Sequence, residues 1–288
     1  MTLEVPPKSV ANVRTLDCAG RKLVLDRTRI MGILNLTPDS FSDGGLWLGK
    51  TSAVKHALAM QDAGADIIDV GGESTRPGAQ AVSVQQELDR VIPVIESIAP
   101  QLAIPISIDT SKPEVMREAV SAGAGMINDV YALRHQGALA AAAELSVPVC
   151  LMHMLGNPRV MQNNPVYDDV GAEVATFLLE RARLCESSGI SKENIVLDPG
   201  FGFGKTLQQN ISLFHALPDL MSNGFPLLVG VSRKAMIGQL TGREIPGRVA
   251  GSITAAVLAA RMGVAIVRVH DVAETRDALK VATALWQG

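Results

Sequence analysis

Lys234, Arg268 and His270 are three cations close to the ends of the last two apolar runs of the chain. Side chains of these types hold an anion through charge-assisted hydrogen bonds. An isolated Arg-x-His is more often a surface pair. In a strand, however, residues two apart point to the same side, which favours Arg268 and His270 as a joint anion clamp. The other apolar runs also end in polar groups: Asn35, Asp69 with Glu73 to Arg76 just beyond, Asp109, Asn128, Met152 with His153, Asp198, and Ser232. A single such residue marks only the point where a buried strand reaches water. The whole set is better explained as the lining of one site.

Other chemistry is weakly supported. Gly200-Phe-Gly-Phe-Gly204-Lys-Thr206 has Pro199 where a Walker loop needs Gly, and Lys205 where the dinucleotide fingerprint needs Gly. It reads as a flexible strand-to-helix loop whose Phe203 can lie against a flat ligand, or as a plain Gly-rich turn. His153 has no Cys, His or carboxylate at metal-ligand spacing, and the eleven Met residues read mainly as core filler.

These residues need elements to position them. Eight apolar runs are predicted as strands: Arg29 to Leu36, Asp66 to Gly72, Pro105 to Thr110, Met126 to Val130, Val147 to His153, Asn194 to Pro199, Pro226 to Ser232, and Ala265 to His270. Several are unbroken, as in parallel strands covered on both faces. Helical periodicity lies between them. Asp168 to Ser188 repeats apolar residues at helical spacing and stops at Gly189; Ser83 with Gln86 forms a capping-box start; Ser111 with Pro113 and Glu114 opens another helix.

Strand then helix, eight times, makes either a closed (β/α)8 TIM barrel or a doubly wound sheet. Polar residues at nearly all strand ends favour the barrel, because an open sheet gathers its site at one switch point. Barrels often bind phosphate groups near strands seven and eight, where Lys234, Arg268 and His270 fall. Arg14 to Asp26, with Ala19-Gly20 as its turn, is predicted as a β-hairpin that covers the barrel bottom. Residues 1–28 are thus an N-terminal extension with a hairpin, and residues 29–288 a single barrel domain.

Composition agrees. The 288 residues are 47% hydrophobic and only 3% aromatic, with a formal charge of -3 and no basic run, which argues against a nucleic-acid partner. Cys18, Cys150 and Cys185 are an odd, widely spaced set, which suits a reducing cytoplasm better than a disulfide framework. Neither a signal pattern nor a run of about 18 apolar residues is present, so export and membrane spanning are not expected.

Two segments carry a family resemblance: Met31-Gly-Ile-Leu-Asn-Leu-Thr-Pro-Asp-Ser-Phe-Ser-Asp-Gly-Gly45 and Asp66-Ile-Ile-Asp-Val-Gly-Gly-Glu-Ser-Thr-Arg-Pro-Gly78. They closely resemble the two signatures of dihydropteroate synthases. The similarity continues through Ser107 to Pro113, Leu197 to Lys205, Val231 to Lys234 and Val267 to Asp271. The resemblance implies a folate-pathway transferase that joins 6-hydroxymethyl-7,8-dihydropterin diphosphate to 4-aminobenzoate with Mg²⁺. It also implies a barrel, a homodimer and a sulfonamide target.

Carried over by resemblance, Asp109, Asn128, Asp198, Lys234, Met152 and Gly230 line the pterin pocket. Asn35, Arg268 and His270 hold the diphosphate, with Asn35 at the metal. Thr75, Arg76, Pro77, Phe203 and Ser232 form the 4-aminobenzoate side. Asp39, Ser40 and Phe41, with Gly44-Gly45, belong to flexible loops. Lys234, Asp109, Arg268 and His270 would carry catalysis. Three competing readings stay open: a methyltetrahydrofolate-binding barrel, which would not need the diphosphate clamp; a Schiff-base aldolase using Lys234; and a non-enzymatic pterin-binding protein.

Overall fold

In the computed structural model, residues 13–36, 45–74, 80–156 and 165–286 are described. Their barrel strands are β3 (Arg29–Asn35), β4 (Ile67–Gly71), β5 (Ile106–Asp109), β6 (Met126–Asp129), β7 (Val149–Met152), β8 (Ile195–Asp198), β9 (Leu228–Val229) and β10 (Ile266–Val269), after a hairpin of β1 (Thr15–Cys18) and β2 (Arg21–Val24). All eight barrel strands pair in parallel, in the spatial order β8-β7-β6-β5-β4-β3-β10-β9. A further parallel bridge, Leu197 to Leu227, joins the two ends of that order and closes the barrel.

Helices follow the strands: α1 (Gly45–Asp62), α2 (Val84–Ile98), α3 (Pro113–Ser121), α4 (Ala138–Leu145), α5 (Val170–Ser187), α6 (Leu207–His215), α7 (Leu217–Met221), α8 (Ala235–Thr241), α9 (Val249–Met262) and α10 (Val272–Trp286). Their apolar stripes pack on outward-facing strand residues such as Ile30, Ile68, Ile106, Ile127 and Val149 in one continuous core. This is why the strands read as unbroken apolar runs. The capping box at Ser83 is present, with Ser83 Oγ accepting from Gln86 N and Gln86 Oε1 accepting from Ser83 N.

Every barrel strand is shorter than its predicted run, and three differences from the sequence prediction have local causes. α3 is capped by Lys112, not Ser111, because Ser111 Oγ is drawn to the Asp129 carboxylate at 2.5 Å. α5 starts two residues later, at Val170, with Asp169 as its cap accepting from Ala172 N. β9 is two residues long rather than seven. The chain leaves its ladder after Val229 and turns into α8 through Arg233, whose φ is +56°.

The hairpin seals the bottom. Leu16, Cys18, Leu23 and Leu25 form a second core with Met31, Ile67, Met126, Cys150, Val196, Leu228 and Ile266, contributed by seven of the barrel strands. An ionic seam joins the same end: Asp66 pairs with Arg27 at 2.5 Å and with Arg29 at 3.0 Å, and it accepts from Ile30 N. Gly125 admits the hairpin, since a Cβ there would lie 2.3 Å from the Cys18 carbonyl oxygen. Gly125→Ala should therefore displace the hairpin and cost about 1–3 kcal/mol of stability, read as a lower urea midpoint; an unchanged midpoint would mean that the hairpin does not need this close contact.

Candidate active site

With the bottom sealed, the strand ends meet at the opposite mouth. Asp109 on β5 and Asn128 on β6 are level there, and Asp69, opposite Ser107 two residues lower, reaches Asn128 by its side chain. Arg268 enters from β10: its Nε donates to Asp69 Oδ2 at 2.6 Å and its Nη2 to Asp109 Oδ2 at 2.9 Å. Asn128 Nδ2 donates to the same Asp69 oxygen at 3.1 Å. Asp69 is fully buried, and its Oδ1 has no hydrogen-bond partner. Burial pushes Asp109 up to about 7, against the pull of Arg268 and with help from Asp69. Burial also opposes the Arg268 charge, but Asp69 and Asp109 more than offset it, so Arg268 stays cationic.

The opposite wall is built by the loop between β8 and α6. Asp198 Oδ1 accepts from Gly200 N at 2.8 Å, and burial raises its pKa against the opposing charge of Lys234. Lys234 Nζ donates to Phe201 O at 2.6 Å and lies 4.7 Å from the Phe203 ring centroid, a cation–π distance. Burial draws Lys234 down to about 8 while Asp198 holds it up. Phe203 packs with Met152, Met154 and Val130 in a small apolar cluster at this rim. Gly230 is the gap between two cations: a Cβ there would lie 3.7 Å from Arg268 Cβ and 3.9 Å from Lys234 Nζ.

His270 belongs to a neighbouring network. Ser232 Oγ lies 3.0 Å from His270 Nδ1 and accepts from His270 N at 3.2 Å. The next residues along, Arg233 and Asp271, form an ion pair, and the Arg233 backbone is held by Ser252 Oγ and Arg248 Nη1. The left-handed Arg233 thus lies between Ser232 and Lys234, both of which make contacts at the mouth. Of the two residues expected to clamp an anion, Arg268 is held by carboxylates and His270 by Ser232.

Asn35, at the end of β3, lies beside Gly71, where a Cβ would meet Asn35 Oδ1 at 3.8 Å and Asp109 Oδ2 at 3.7 Å. Among the described residues no group of three or more His, Cys, Asp and Glu could hold a metal ion. Thr75, Arg76 and Pro77, and Asp39, Ser40 and Phe41, lie outside the described residues.

Three features were not singled out from sequence. Asp69 was seen as a strand end but given no role, although it anchors both Arg268 and Asn128. Lys205 is buried, with Nζ 3.0 Å from His153 Nδ1. Lys112 bridges Glu73 and Glu87, tying the segment after β4 to α2. The available signal was the Asp-x-x-Asp of Asp66 and Asp69: spaced by three along a strand, the two cannot both serve one end of the barrel.

A closed parallel barrel with a buried, charge-balanced mouth is the frame of a barrel enzyme, and comparison with known proteins gives its family. Pterin-binding enzymes match residues 31–270. The dihydropteroate synthase of Escherichia coli (strain K12) is 56% identical over 92% of this chain and 94% of its own length. The Xanthomonas albilineans dihydropteroate synthase with 4-aminobenzoic acid is 57% identical, with a TM-score of 0.92 over 96% of this chain and 100% of that one. The same enzyme in complex with 7,8-dihydropteroate gives 55% identity and a TM-score of 0.88 over 95% and 99%. The Yersinia pestis enzyme in a sulfonamide drug complex gives 49% and 0.91 over 95% and 100%. The chain belongs to the dihydropteroate synthase family of pterin-binding enzymes, and it is a transferase.

Because the Asp69 charge raises Asp109, Asp69→Asn should lower the Asp109 titration midpoint below about 7. Carboxyl NMR titration of the ligand-free protein reads it directly; an unmoved or higher midpoint would show that the two carboxylates do not share Arg268 in solution.

Proposed function

We propose that this chain condenses 6-hydroxymethyl-7,8-dihydropterin diphosphate with 4-aminobenzoate to give 7,8-dihydropteroate and diphosphate, a step of folate biosynthesis. The observation that carries the reading is the mouth itself: Asp109, Asn128, Asp198 and Lys234 on several different strand ends or loops, surrounding a space edged by Arg268. A pterin edge presents neighbouring N–H donors that a carboxylate accepts in pairs. Asp198 and Asp109 take that role, with Asn128 and Lys234 completing the pocket beside Met152 and Gly230. Binding at Asp109 competes with Arg268 Nη2, whose contact there would be freed toward the diphosphate. His270 and Asn35 lie on the diphosphate side.

Mg²⁺ fits this side as a partner of the diphosphate. The available donors are oxygens, with Asn35 Oδ1 next to a carboxylate, and a magnesium ion commonly takes only one or two protein ligands beside substrate phosphates. When bound it would neutralise charge on the leaving group. Residues of the chain do the rest. The C–O bond to diphosphate breaks first and the diphosphate leaves with the electron pair, stabilised by Arg268 and His270. The remaining methylene cation is delocalised into the pterin, near the Asp109 and Asp198 carboxylates. The arylamine nitrogen then attacks and loses a proton. An arylamine is a free nucleophile at neutral pH, so positioning replaces a strong general base. Phe203 and Ser232 form the aminobenzoate side, which a sulfonamide would share; the other residues expected to serve it, Thr75, Arg76, Pro77 and the Asp39 to Phe41 loop, lie outside the described residues.

A homodimer accompanies this reading. Leu240, Leu258, Val281 and Leu285, from α8, α9 and α10, are large apolar side chains left exposed on the barrel's outer helices, the kind of surface a second copy covers. The three cysteines are free and buried, which suits the cytoplasm. No helix among the described residues is long and apolar enough to cross a membrane.

The direct test is incubation of the protein with the pterin diphosphate, 4-aminobenzoate and Mg²⁺, following dihydropteroate by mass spectrometry together with diphosphate release. Pterin binding without dihydropteroate would sink the proposal and turn attention to methyl transfer or simple binding. Asp109→Asn and Asp198→Asn should each lower catalytic efficiency for the pterin diphosphate by about 100-fold or more, as expected for loss of a charged acceptor from a buried site. The pH profile follows from the signs of two shifts. Asp109 accepts a pair of N–H donors with both oxygens only when ionised, above its raised value of about 7, and Lys234 is cationic mainly below its lowered value of about 8. kcat/KM should therefore be bell-shaped between these limbs, and Asp109→Asn should flatten the acid limb; a flat profile in the unmodified enzyme would remove both groups from pterin capture.

A further inference from the structure

Lys205 takes no part in the mechanism above, yet it is only 3% exposed at the edge of the site. Its Nζ lies 2.9 Å from Gly200 O, 3.2 Å from Phe203 O and 3.0 Å from His153 Nδ1. An ammonium has three protons and no acceptor, so these three acceptors match it one for one. His153 is correspondingly neutral, drawn down to about 3 by burial and by Lys205. Burial draws Lys205 down to about 7 against the pull of the Asp198 charge, and no carboxylate accepts from it directly; such a cation is expensive to keep, and an apolar side chain of similar shape is often neutral or stabilising in such a place. Stability alone therefore gives no reason for the lysine.

Its neighbours do. The two carbonyls it holds bracket Phe201, whose own carbonyl accepts from Lys234 on the cavity side. The loop is pinned by two ammoniums from opposite sides. Gly200, Gly202 and Gly204 all have positive φ (69°, 80° and 67°), a backbone with many alternatives that is also tied by Asp198 Oδ1 at Gly200 N, Asn210 Oδ1 at Gly202 N and the Tyr167 hydroxyl at Gly204 O. Gly200 also lies flush against β7, where a Cβ would come within 1.8 Å of His153 O. Once Lys234 turns to the pterin, its hold on Phe201 O weakens and the grip from below remains.

We propose that Lys205 is a positioning residue of the transfer reaction: its ammonium, shared among His153, Gly200 and Phe203, keeps the Phe203 wall in place for the aminobenzoate while Lys234 engages the pterin. The inference rests on the functional reading above, and its test separates the two. Lys205→Met removes all three donors, and Lys205→Gln keeps two on a shorter chain. Hydrogen exchange at 200–205 is read on the ligand-free proteins, so it reports on the pin even if the unmodified chain makes no dihydropteroate, an outcome that would overturn the functional reading instead. The expected result is a melting temperature for Lys205→Met at or above that of the unmodified enzyme, with faster exchange in the loop. KM for 4-aminobenzoate should rise about tenfold and KM for the pterin diphosphate should stay within about twofold, with Lys205→Gln in between. Unchanged loop exchange and unchanged aminobenzoate KM in both variants would overturn the proposal. So would a lower melting temperature with equal rises in both KM values, since that is the pattern of a purely structural lysine. If the Met variant fails to fold, exchange and the KM split in Lys205→Gln decide alone.

Discussion

The mouth of this barrel depends on a guanidinium shared by two carboxylates. Asp69 and Asp109 would repel each other on adjacent strands, and Arg268 alone would be a buried charge; together they are tolerable. The remaining contacts follow from that arrangement. Asn128 is oriented by the same Asp69 oxygen, and the Gly71 and Gly230 gaps leave room beside Asp109 and between the Arg268 and Lys234 side chains. The site is thus assembled before any substrate arrives, and an incoming ring with N–H donors competes for an acceptor that a cation already holds. In the proposed reaction, binding of the ring and release of the cation would be one event, which would couple recognition of the ring to readiness for the anion attached to it.

The architecture makes this possible by separating two ends. At the bottom, Asp66 and its arginines join the hairpin; towards the top, Asp69, three residues further along, is buried against Arg268 and Asn128. Strands only four residues long suffice, because each must span just the distance from an apolar plug to a polar mouth. The ring of outer helices then carries the load of packing outside, so that loops at the mouth are free to be shaped by glycine and buried ions rather than by core formation.

Much of this was legible in the chain. Unbroken apolar runs located all eight strands, and the turn at Ala19-Gly20 located the hairpin, because burial on both faces and left-handed turns leave marks on local sequence. What was not legible depended on contacts remote in sequence. Arg268 and Asp69 are 199 residues apart, so the carboxylate partner of Arg268 could not be read from sequence spacing. The short β9 reflects Arg233, a residue type with no local signal for a positive φ, which is imposed by Ser252, Arg248 and Asp271. Ser111 looked like a helix cap because its type and position allowed it, and Asp129 from the next strand claimed it instead. Lys205 was read only as the residue that spoils a nucleotide motif, since nothing nearby in sequence reveals that His153 is its partner.

The hairpin plug also has a consequence for how the chain is made. Leu16 and Cys18 are among the earliest core residues to be synthesised, yet they pack against Ala265 and Ile266, and Thr28 Oγ1 donates to Val264 O. A ribosome must therefore finish almost the whole polypeptide before its opening segment can find a permanent place. Until then four apolar side chains of that segment have no home, and the nascent barrel has an open floor. Contacts of such long sequence separation slow folding and prolong exposure of sticky surface. The same plug that keeps the finished enzyme watertight makes its biogenesis a matter of waiting, and leaves the newborn chain a natural client for chaperones that bind apolar segments.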